Sequence, residues 1–388
     1  MFLEKLLERN PKLAETALKL HEEGRILPDT YVLDLDAIRY NAALIKREAD
    51  MYGIRLYFML KQIGRNPLVA ADLMALGYDG AVTVDYREAL CMIDNGIHIA
   101  NVGHLEQIPA AAMDRIISAK PDYVTVYSLE MIKKIDETAE KHNLVQKLLI
   151  RLSDEDSDLY SGQVGGFHTS ELADLIRKIG RLEHVKVGGL TVFPAILYSQ
   201  EEGKIVPTAN MKAMDRGRKI AQDCGLEDLN INLPSATCIA SMSLLSDLGA
   251  KSGEPGHGLS GTTPLHKYSN QPEIPAYIYV SEISHVYDGK SYCYGGGHYR
   301  RGHMENVIVG NDIENMKKSR VSAPDDDSID YHFEIEDPFE VGECALMAFR
   351  TQVFTTRSHV AVVSGIQSGD PKLIGIYSSL GEPVRRNW

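Results

Sequence analysis

One lysine in this sequence follows a strand-like segment at a position where a buried amine could act as a nucleophile. The run Ile54–Leu60 is mostly apolar, and Lys61 comes directly after it. If this run is an inward-facing strand, burial at its end favours the neutral, nucleophilic form of the amine. We therefore predict imine chemistry at Lys61. The alternative is a lysine that merely caps the strand and extends its charge into solvent.

Eight strand-like segments alternate with helical patterns between residues 31 and 256. The strand candidates are Arg55–Leu60, Gly80–Val84, Ile97–Val102, Tyr123–Tyr127, Leu148–Leu152, Val185–Val192, Asn230–Leu233 and Lys251–Glu254. Helix candidates between them include Pro67–Leu76, Ser128–His142, Ser170–Ile179 and Pro207–Cys224. This alternation requires a parallel sheet with crossover helices, and eight units predict an α/β fold of the TIM (β/α)8 barrel type. Catalytic groups of such barrels lie at the carboxyl ends of strands, where Lys61 falls.

The pattern changes to strands separated by Gly, Asp and Pro after about Pro264, which predicts a second, mainly β domain. Its strand candidates are Ala276–Val286, Ser291–Tyr294, Asn306–Val309, Asp330–Glu336, Leu346–Thr355 and His359–Ser364. Thr30–Leu35 is also strand-like and could pair into that domain. We place the bounds at residues 1-36 for an N-terminal helix and strand, 37-263 for the barrel and 264-388 for the β domain.

Composition narrows the class of protein. A chain of 388 residues is too long for one ordinary core, and 44% hydrophobic residues are typical of globular domains. The formal net charge of -13, without a Lys/Arg stripe, argues against nucleic acid and anionic membrane surfaces as partners. Five scattered cysteines without a C-x-x-C pair predict neither a disulfide framework nor a zinc finger, and they favour a reducing cytoplasm.

The N-terminal segment Met1–Arg9 interrupts its apolar residues with charge every two or three positions, which predicts an amphipathic helix and not a signal peptide. No apolar run approaches the roughly 20 residues that a membrane-spanning helix needs. We therefore expect a soluble, cytoplasmic protein.

Several motifs, taken in order, resemble one known enzyme family. Thr30–Ile38, followed by Phe58–Lys61, is similar to the opening of the alanine racemase-like, fold-type III enzymes that use pyridoxal-5'-phosphate (PLP). The resemblance continues through Gly77–Val84, Gly188–Leu190, Pro234–Ala236, Glu254–Gly256 and the pair Tyr294-Gly295. The subgroup that fits best is that of the YhfX-type racemase-like proteins.

The resemblance implies a PLP site and names its anchors. Lys61 would hold PLP as a Schiff base, while Ser235 and the backbone around Gly256, His257 and Gly258 would hold the cofactor phosphate. The chemistry of phosphate binding supports this site, because a phosphate needs several convergent hydrogen-bond donors and a glycine-rich turn lets backbone N–H groups approach closely. An ordinary tight turn is the other interpretation of these glycines.

Two further residues would carry the chemistry. Glu254 resembles the ornithine decarboxylase branch, whereas alanine racemases place an arginine there. A carboxylate favours a protonated pyridine nitrogen, a stronger electron sink. Tyr294 matches the tyrosine that racemases supply from the partner subunit as a second acid/base, and inversion at Cα requires two such groups on opposite faces. A surface glutamate and a packing tyrosine are the alternatives.

Three positions depart from the alanine racemase pattern, so we do not assign alanine as the substrate. Arg65 replaces a phosphate-binding tyrosine and could itself be a charged phosphate ligand. Phe193 falls where a ring-stacking histidine usually lies. Ser161–Phe167 contains no arginine, although alanine racemases carry one there to contact the phenolic oxygen of PLP.

Other polar residues leave two interpretations open. A cationic cluster of His298, Arg300, Arg301 and His303 follows Tyr294 and could grip a substrate anion or simply be solvated. We predict no metal site, because the His-x-Cys spacing of the zinc-using enzymes of this fold type is missing. Asn101 and His104 lie at the end of the third barrel strand and could line the pocket, with a core or capping role as the alternative.

We predict a PLP-dependent amino-acid racemase that works through a Lys61 aldimine and a quinonoid or carbanion intermediate. We expect a homodimer whose sites each borrow Tyr294 from the other chain. Decarboxylation or an aldol-type reaction is the first alternative, since Glu254 is decarboxylase-like and product analysis would separate the reactions. The second is a PLP-binding protein without catalysis, which would need neither the long C-terminal domain nor Tyr294.

Overall fold

The computed structural model describes residues 2–388, and Met1 of the predicted N-terminal helix lies outside them. The strands are β1 Thr30–Asp34, β2 Arg55–Phe58, β3 Gly80–Thr83, β4 Ile99–Val102, β5 Tyr123–Val126, β6 Gln146–Arg151, β7 Val185–Thr191, β8 Ile196–Ser199, β9 Lys204–Pro207, β10 Asn230–Asn232, β11 Ser252–Gly253, β12 Tyr277–Tyr287, β13 Lys290–Tyr294, β14 Asn306–Val309, β15 Lys317–Ser322, β16 His332–Ile335, β17 Cys344–Met347, β18 His359–Ser364 and β19 Lys372–Tyr377. The helices are α1 Phe2–Arg9, α2 Pro11–Glu22, α3 Leu35–Met51, α4 Pro67–Ala75, α5 Tyr86–Asp94, α6 Ala110–Ser118, α7 Leu129–Lys141, α8 Thr169–Ile179, α9 Asn210–Asp223, α10 Met242–Asp247 and α11 Pro264–Tyr268.

The chain forms two compact units that interleave along the sequence. The first comprises residues 2–44, Leu60–Val69 and His257–Trp388, and we call it the β unit. The second comprises Ile45–Met59 and Ala70–Gly256, and we call it the barrel unit. None of the helices in residues 2–388 is long and apolar enough to cross a membrane.

Eight parallel strands of the barrel unit close into a barrel in the order β2-β3-β4-β5-β6-β7-β10-β11. Each of them overlaps one of the eight segments predicted from the sequence, so the TIM-barrel prediction is confirmed. The interior is filled by large and small side chains from different strands, with Tyr57 and Leu149 packed against Ala100 and Val82. Strands buried on both sides explain why the segments read as continuous apolar runs.

One part of the barrel unit differs from the prediction. The predicted helix Pro207–Cys224 begins later, at Asn210, because Pro207 ends β9. This strand pairs antiparallel with β8, and Ile196 lies opposite Pro207. A proline can end an edge strand because it has no N–H to donate. The chain after β7 therefore adds a hairpin before its crossover helix.

The β unit contains a nine-stranded sheet in the order β13-β16-β15-β14-β17-β12-β1-β18-β19. Strand β1 lies in its middle, antiparallel to β12 and parallel to β18. Successive strand residues point to opposite faces. Val32 and Ile278 belong to an apolar core with residues of α1 and α2, whereas Tyr31 and Tyr279 pack their rings 4.8 Å apart. The strand-rich domain predicted from the sequence is confirmed.

Two strands of this sheet were not predicted, and one prediction was too long. Lys317–Ser322 is mostly charged and polar, so it shows no apolar strand pattern, and Lys372–Tyr377 is an edge strand with a glycine in its interior. The predicted strand Leu346–Thr355 is wrong beyond Met347. There the Phe349 carbonyl accepts a hydrogen bond from the Tyr277 hydroxyl at 2.5 Å, so this backbone serves a tertiary contact instead of a ladder.

Candidate active site

The barrel unit buries a carboxylate at the carboxyl end of β11. Glu254 follows this strand directly, and it is 3% exposed. Its N–H donates to the Thr237 hydroxyl at 3.0 Å, and the Met59 N–H donates to the Pro255 carbonyl at 3.0 Å. The chain after β11 is thereby tied to the chain after β2. Glu254 is a buried barrel-end group and not a surface glutamate before a turn.

A buried histidine stands beside this carboxylate. His104 Nε2 lies 3.7 Å from Glu254 Oε2, and both side chains are fully buried. The imidazole also meets the Phe193 ring edge-on, with ring centroids 5.1 Å apart. Phe193 and Glu254, which were predicted from different segments, are therefore brought together around His104. The structure shows that His104 faces the interior of the barrel end, whereas the sequence left a capping role open.

Sequence reasoning missed Arg151, the last residue of β6, which is 1% exposed. Its guanidinium donates to the Tyr127 hydroxyl at 2.6 Å and to the Gln163 carbonyl at 2.8 Å, and it lies 5.7 Å from the centre of the Phe193 ring. Within residues 2–388 it forms no ion pair. Because a buried cation is costly without a counter-charge, this position suits an anionic ligand oxygen. The sequence feature that could have identified Arg151 is its position as a charged residue at the end of a buried apolar run.

The loop after β10 has an unusual backbone. Ser235 and Ala236 have φ of 91° and 44°, in the left-handed region that residues other than glycine rarely adopt. Such strain costs of order 1–3 kcal/mol per residue and is concentrated at functional sites. In the part of the chain that the structure describes, the Ser235 hydroxyl donates no hydrogen bond. It therefore remains available to a ligand.

The turn predicted to hold a phosphate follows β11. Gly256 and Gly258 are buried, and the N–H groups of Gly256, His257 and Gly258 donate to no other residue among 2–388. Buried N–H groups in proteins nearly always have an acceptor. Three consecutive donors of this kind fit an anionic ligand better than an ordinary tight turn.

Lys61 opens a 3-10 turn, Lys61–Ile63, in the β unit. The Thr351 hydroxyl fixes this turn by donating to the Gln62 carbonyl at 2.6 Å. Arg65 follows with φ 54° and is 2% exposed, and its guanidinium lies 5.0 Å from the centre of the Phe354 ring.

His257 shows the electrostatic character of this part of the β unit. Its Nδ1 lies 3.2 Å from the Thr262 hydroxyl and its Nε2 lies 3.5 Å from Gln352 Nε2. Burial, helped by the positive charges of Arg350 and Lys61, holds the pKa of His257 well below its usual range. The imidazole is therefore neutral near neutral pH, and its surroundings are cationic. A positive potential favours a dianionic phosphate.

Tyr294 ends β13 with its side chain on the outer face of the sheet, 40% exposed. Its backbone is nevertheless fixed, because the Ser281 hydroxyl donates to the Tyr294 carbonyl at 2.6 Å. Arg357 donates to the Gly295 carbonyl at 2.6 Å, and its N–H donates to the Gly296 carbonyl at 3.0 Å. The Tyr294 ring is therefore partly exposed to solvent, while its backbone is held in place.

Asp29 supports the same glycine segment and should make stability depend on pH. Burial raises its pKa to about 6, although the Ser358 and Tyr279 hydroxyls and the Arg357 charge oppose this. The folded state therefore binds the proton more tightly than the unfolded state. The resulting stabilisation is complete below pH ~4 and is lost as the pH rises through about 6. Compared with Asp29→Asn, the wild type should lose up to about 3 kcal/mol of unfolding free energy over this range.

Urea unfolding of both proteins at acid and neutral pH measures this difference. A difference that stays constant with pH would contradict the assignment of the raised pKa to Asp29. The Asn side chain keeps an oxygen that can accept from Tyr279, so the comparison isolates the charge.

Two residues of the cationic cluster beyond Tyr294 pair with carboxylates. His298 Nδ1 lies 3.1 Å from Asp330 Oδ2, and Arg300 pairs with Asp326 at the surface. His303 is partly buried, which lowers its pKa. In residues 2–388, no group of three or more His, Cys, Asp or Glu side chains is arranged to hold a metal ion.

Two protein-family models together match most of the chain. The model of the alanine racemase N-terminal domain matches residues 33–264, and that of the YhfX-like C-terminal domain matches residues 278–373. The chain is 41% identical over 386 residues to the Uncharacterized protein YhfX of Escherichia coli (strain K12). That match covers 99% of this chain and 100% of the relative.

Solved structures with different activities share this fold. The D-threonine aldolase from Filomicrobium marinum gives a TM-score of 0.67 at 15% identity, with 91% of this chain and 94% of that chain covered. The alanine racemase of Clostridium difficile 630 in complex with cycloserine gives 0.65 at 17% identity, with 91% and 99% covered. The diaminopimelate decarboxylase from M. jannaschi gives 0.67 at 14% identity, with 94% and 93% covered.

At these identities the solved structures show a shared fold, and a shared fold does not select one reaction. The family assignment rests on the sequence matches, which span the barrel and the C-terminal sheet. The chain therefore belongs to the alanine racemase-like, fold-type III family of PLP enzymes, with a YhfX-like C-terminal domain.

Proposed function

We propose that this protein is a PLP-dependent amino-acid racemase in which Lys61 and Tyr294 handle the Cα proton of the substrate. We choose a racemase because of Tyr294. Its side chain is exposed on a fixed backbone, and it matches the family's second acid/base. The single-base alternatives, decarboxylation and aldol cleavage, do not need it.

The residues present fit the cofactor. The unpartnered N–H groups of Gly256, His257 and Gly258 would suit its phosphate, and we propose the Ser235 hydroxyl and the Arg65 guanidinium as further donors. Among the remaining groups, Glu254 would face the ring nitrogen, Phe193 would pack on the ring and Arg151 would neutralise an anionic oxygen. When bound, PLP supplies an electron sink for negative charge at the substrate Cα.

The side chains of this protein supply the proton chemistry. The Lys61 amine would hold the cofactor, and it can accept or return the Cα proton of the substrate on one face. The Tyr294 hydroxyl can do the same on the opposite face. Inversion requires both groups, because a single base would return the proton to the face that it left.

We also propose a homodimer in which each site takes Tyr294 from the other chain. The outer face around Tyr294 is aromatic: His285 stacks on Tyr292 at 4.9 Å, and the rings of Tyr294 and His332 are 5.9 Å apart. Tyr331 nearby is 61% exposed. Aromatic side chains with polar tips are enriched at protein interfaces. The five cysteines, all free, fit the cytoplasm as the compartment.

Replacing Tyr294 with phenylalanine should lower racemisation by about 10²- to 10⁴-fold, the usual contribution of a positioned acid/base. Cofactor absorbance should not change, because the ring itself remains. The measurement is exchange of the Cα hydrogen in heavy water across a panel of D- and L-amino acids. Tyr292→Phe, on the same face of the same strand, is the matched control and should retain activity.

Mixing two inactive variants tests the shared site. Lys61→Ala and Tyr294→Phe chains, refolded together, should recover part of the activity, since one site of the mixed dimer is then intact. Two variants that stay inactive together, while each forms dimers, would show that Tyr294 does not act across subunits.

Glu254 supports decarboxylation or an aldol-type reaction as a second candidate, because a buried carboxylate at this position is decarboxylase-like and a strong electron sink serves these reactions too. Loss of carbon dioxide or release of an aldehyde from the same amino-acid panel would establish it. Inversion without loss of carbon would exclude it.

A further inference from the structure

We propose that Asp29 is a positioning residue that couples its own charge to the backbone of Tyr294. The inference rests on the proposed function, because it concerns the placement of the group that would act as the second acid/base. The residues involved all belong to the β unit. Their behaviour can be measured with no cofactor bound.

Three consecutive carbonyl groups, beginning with that of Tyr294, are held by donors of the β unit. The Ser281 hydroxyl donates to the Tyr294 carbonyl at 2.6 Å. Arg357 holds the next two, since its guanidinium donates to the Gly295 carbonyl at 2.6 Å and its N–H donates to the Gly296 carbonyl at 3.0 Å. This backbone has little freedom of its own, so the groups that touch it decide where the Tyr294 ring lies.

Asp29 packs directly against this segment. A Cβ placed on Gly296 would overlap both carboxylate oxygens of Asp29, so only a glycine allows the two residues to lie this close. The Asp29 backbone has φ 64°, which is uncommon outside glycine, and its carbonyl accepts a hydrogen bond from the His359 N–H at 3.0 Å. Backbone strain of this kind is concentrated at functional sites.

One hydroxyl connects the Asp29 carboxylate to the Tyr294 carbonyl. The Tyr279 hydroxyl lies 2.9 Å from Asp29 Oδ1 and 3.4 Å from the Tyr294 carbonyl oxygen, and it has a single proton to donate. A charged acceptor forms a hydrogen bond roughly twice as strong as a neutral one. Ionised Asp29 therefore attracts this hydroxyl, and with neutral Asp29 part of the bonding shifts to the Tyr294 carbonyl. The shift does not depend on which Asp29 oxygen carries the proton.

The Asp29 carboxyl changes its charge in an accessible pH range. Burial raises its pKa to about 6, although the Ser358 and Tyr279 hydroxyls and the Arg357 charge oppose this. Asp29 is therefore mostly neutral below this pH and mostly ionised above it. The Tyr31 and Tyr279 phenols beside it keep their protons, because burial raises the pKa of both. The Arg357 guanidinium stays charged throughout.

Two histidines near this segment titrate in a neighbouring range. Burial lowers the pKa of His359, which follows β18 residues in contact with Asp29 through its own N–H. Burial also lowers the pKa of His332, whose ring lies 5.9 Å from the Tyr294 ring. Each can be replaced while Asp29 and Tyr279 remain, so its titration can be separated from that of Asp29.

The test follows the Tyr294 carbonyl by NMR in protein labelled with ¹³C at the tyrosine carbonyl and ¹⁵N at glycine. Only Tyr52 and Tyr294 precede a glycine in this sequence, so correlating the carbonyl carbon with the next nitrogen gives two signals. In wild type, the Tyr294 signal should move downfield as the pH falls, with a midpoint of about 6. The Tyr52 signal, from the barrel unit, is the internal control and should show no such step.

Variants assign the step to its residues. Asp29→Asn keeps an acceptor but cannot ionise, so the step should disappear. Tyr279→Phe removes the connecting hydroxyl and should also abolish the step. Ser281→Ala removes a donor to the same carbonyl without touching Asp29, so the step should remain, as it should in His359→Gln and His332→Gln. A wild-type signal that does not move through pH 6, or a step that persists in Asp29→Asn, would overturn the proposal.

The proposed reaction should respond to the same charge. At pH ~8, Asp29→Asn should lower turnover by up to about 10²-fold and change KM less, because a small displacement of an acid/base has an effect of this size. Full turnover in this variant would contradict the positioning role. The NMR readout needs no PLP, so failure of the proposed function, seen as absence of PLP binding in wild type, stays distinct from failure of this inference.

Discussion

Replacing Lys61 with alanine should remove both the covalent attachment of PLP and the activity. Purified wild type should show a visible cofactor band, and borohydride should fix PLP on the Lys61 peptide. The variant should lack the band and lose at least about 10³-fold in turnover, because the anchor and one of the two bases disappear together. Absorbance, peptide mass analysis and hydrogen exchange measure the three results.

Lys46→Ala is the matched control. Lys46 lies on α3 and pairs with Asp50 at the surface, so its loss should change neither the spectrum nor the turnover. A wild type that shows no band even after PLP is added would contradict the proposed function. It would leave a TIM-barrel protein of unknown chemistry.

Glu254→Gln should produce the second largest loss. The substitution preserves shape but removes the negative charge that would favour a protonated ring nitrogen, and electrostatic effects are strong at a buried group. We expect turnover to fall by about 10²- to 10³-fold while PLP remains bound. Turnover and cofactor absorbance across the pH range measure the two effects.

A second buried glutamate, in the β unit, provides a control for the loss of stability that Glu254→Gln causes. Glu273 is also fully buried beside a histidine, with Oε2 3.6 Å from His266 Nε2. Glu273→Gln should lower stability to a similar extent and leave the turnover almost unchanged. If both variants lose turnover equally, the effect of Glu254 comes from folding and not from the cofactor.

Much of the fold follows from local patterns. The barrel strands are short apolar runs bounded by glycine and polar residues, and this pattern survives folding because each strand is buried on both sides. The hairpin β8-β9 and the strand β15 were missed for the opposite reason. The hairpin strands are only four residues long and β15 is mostly charged and polar, so neither gives a strong strand pattern, and pairing with a neighbouring strand makes them extended.

The sequence likewise pointed to some residues of the candidate site and missed others. Lys61, Glu254 and Ser235 were singled out because each comes after a strand-like segment, and catalytic groups of barrels of this type lie at strand ends. Arg151 was missed, since one charged residue at the end of an apolar run looks like a boundary.

The sequence by itself determined the barrel, the strand-rich domain and the residues at strand ends, because these depend on periodicity and on order along the chain. Only the tertiary structure decided that His104 meets Glu254, that Arg151 lies over Phe193 and that Tyr294 stays exposed. These contacts join residues far apart in sequence. Their geometry depends on barrel closure and on how the sheet is ordered, and neither is encoded in the spacing of any single segment.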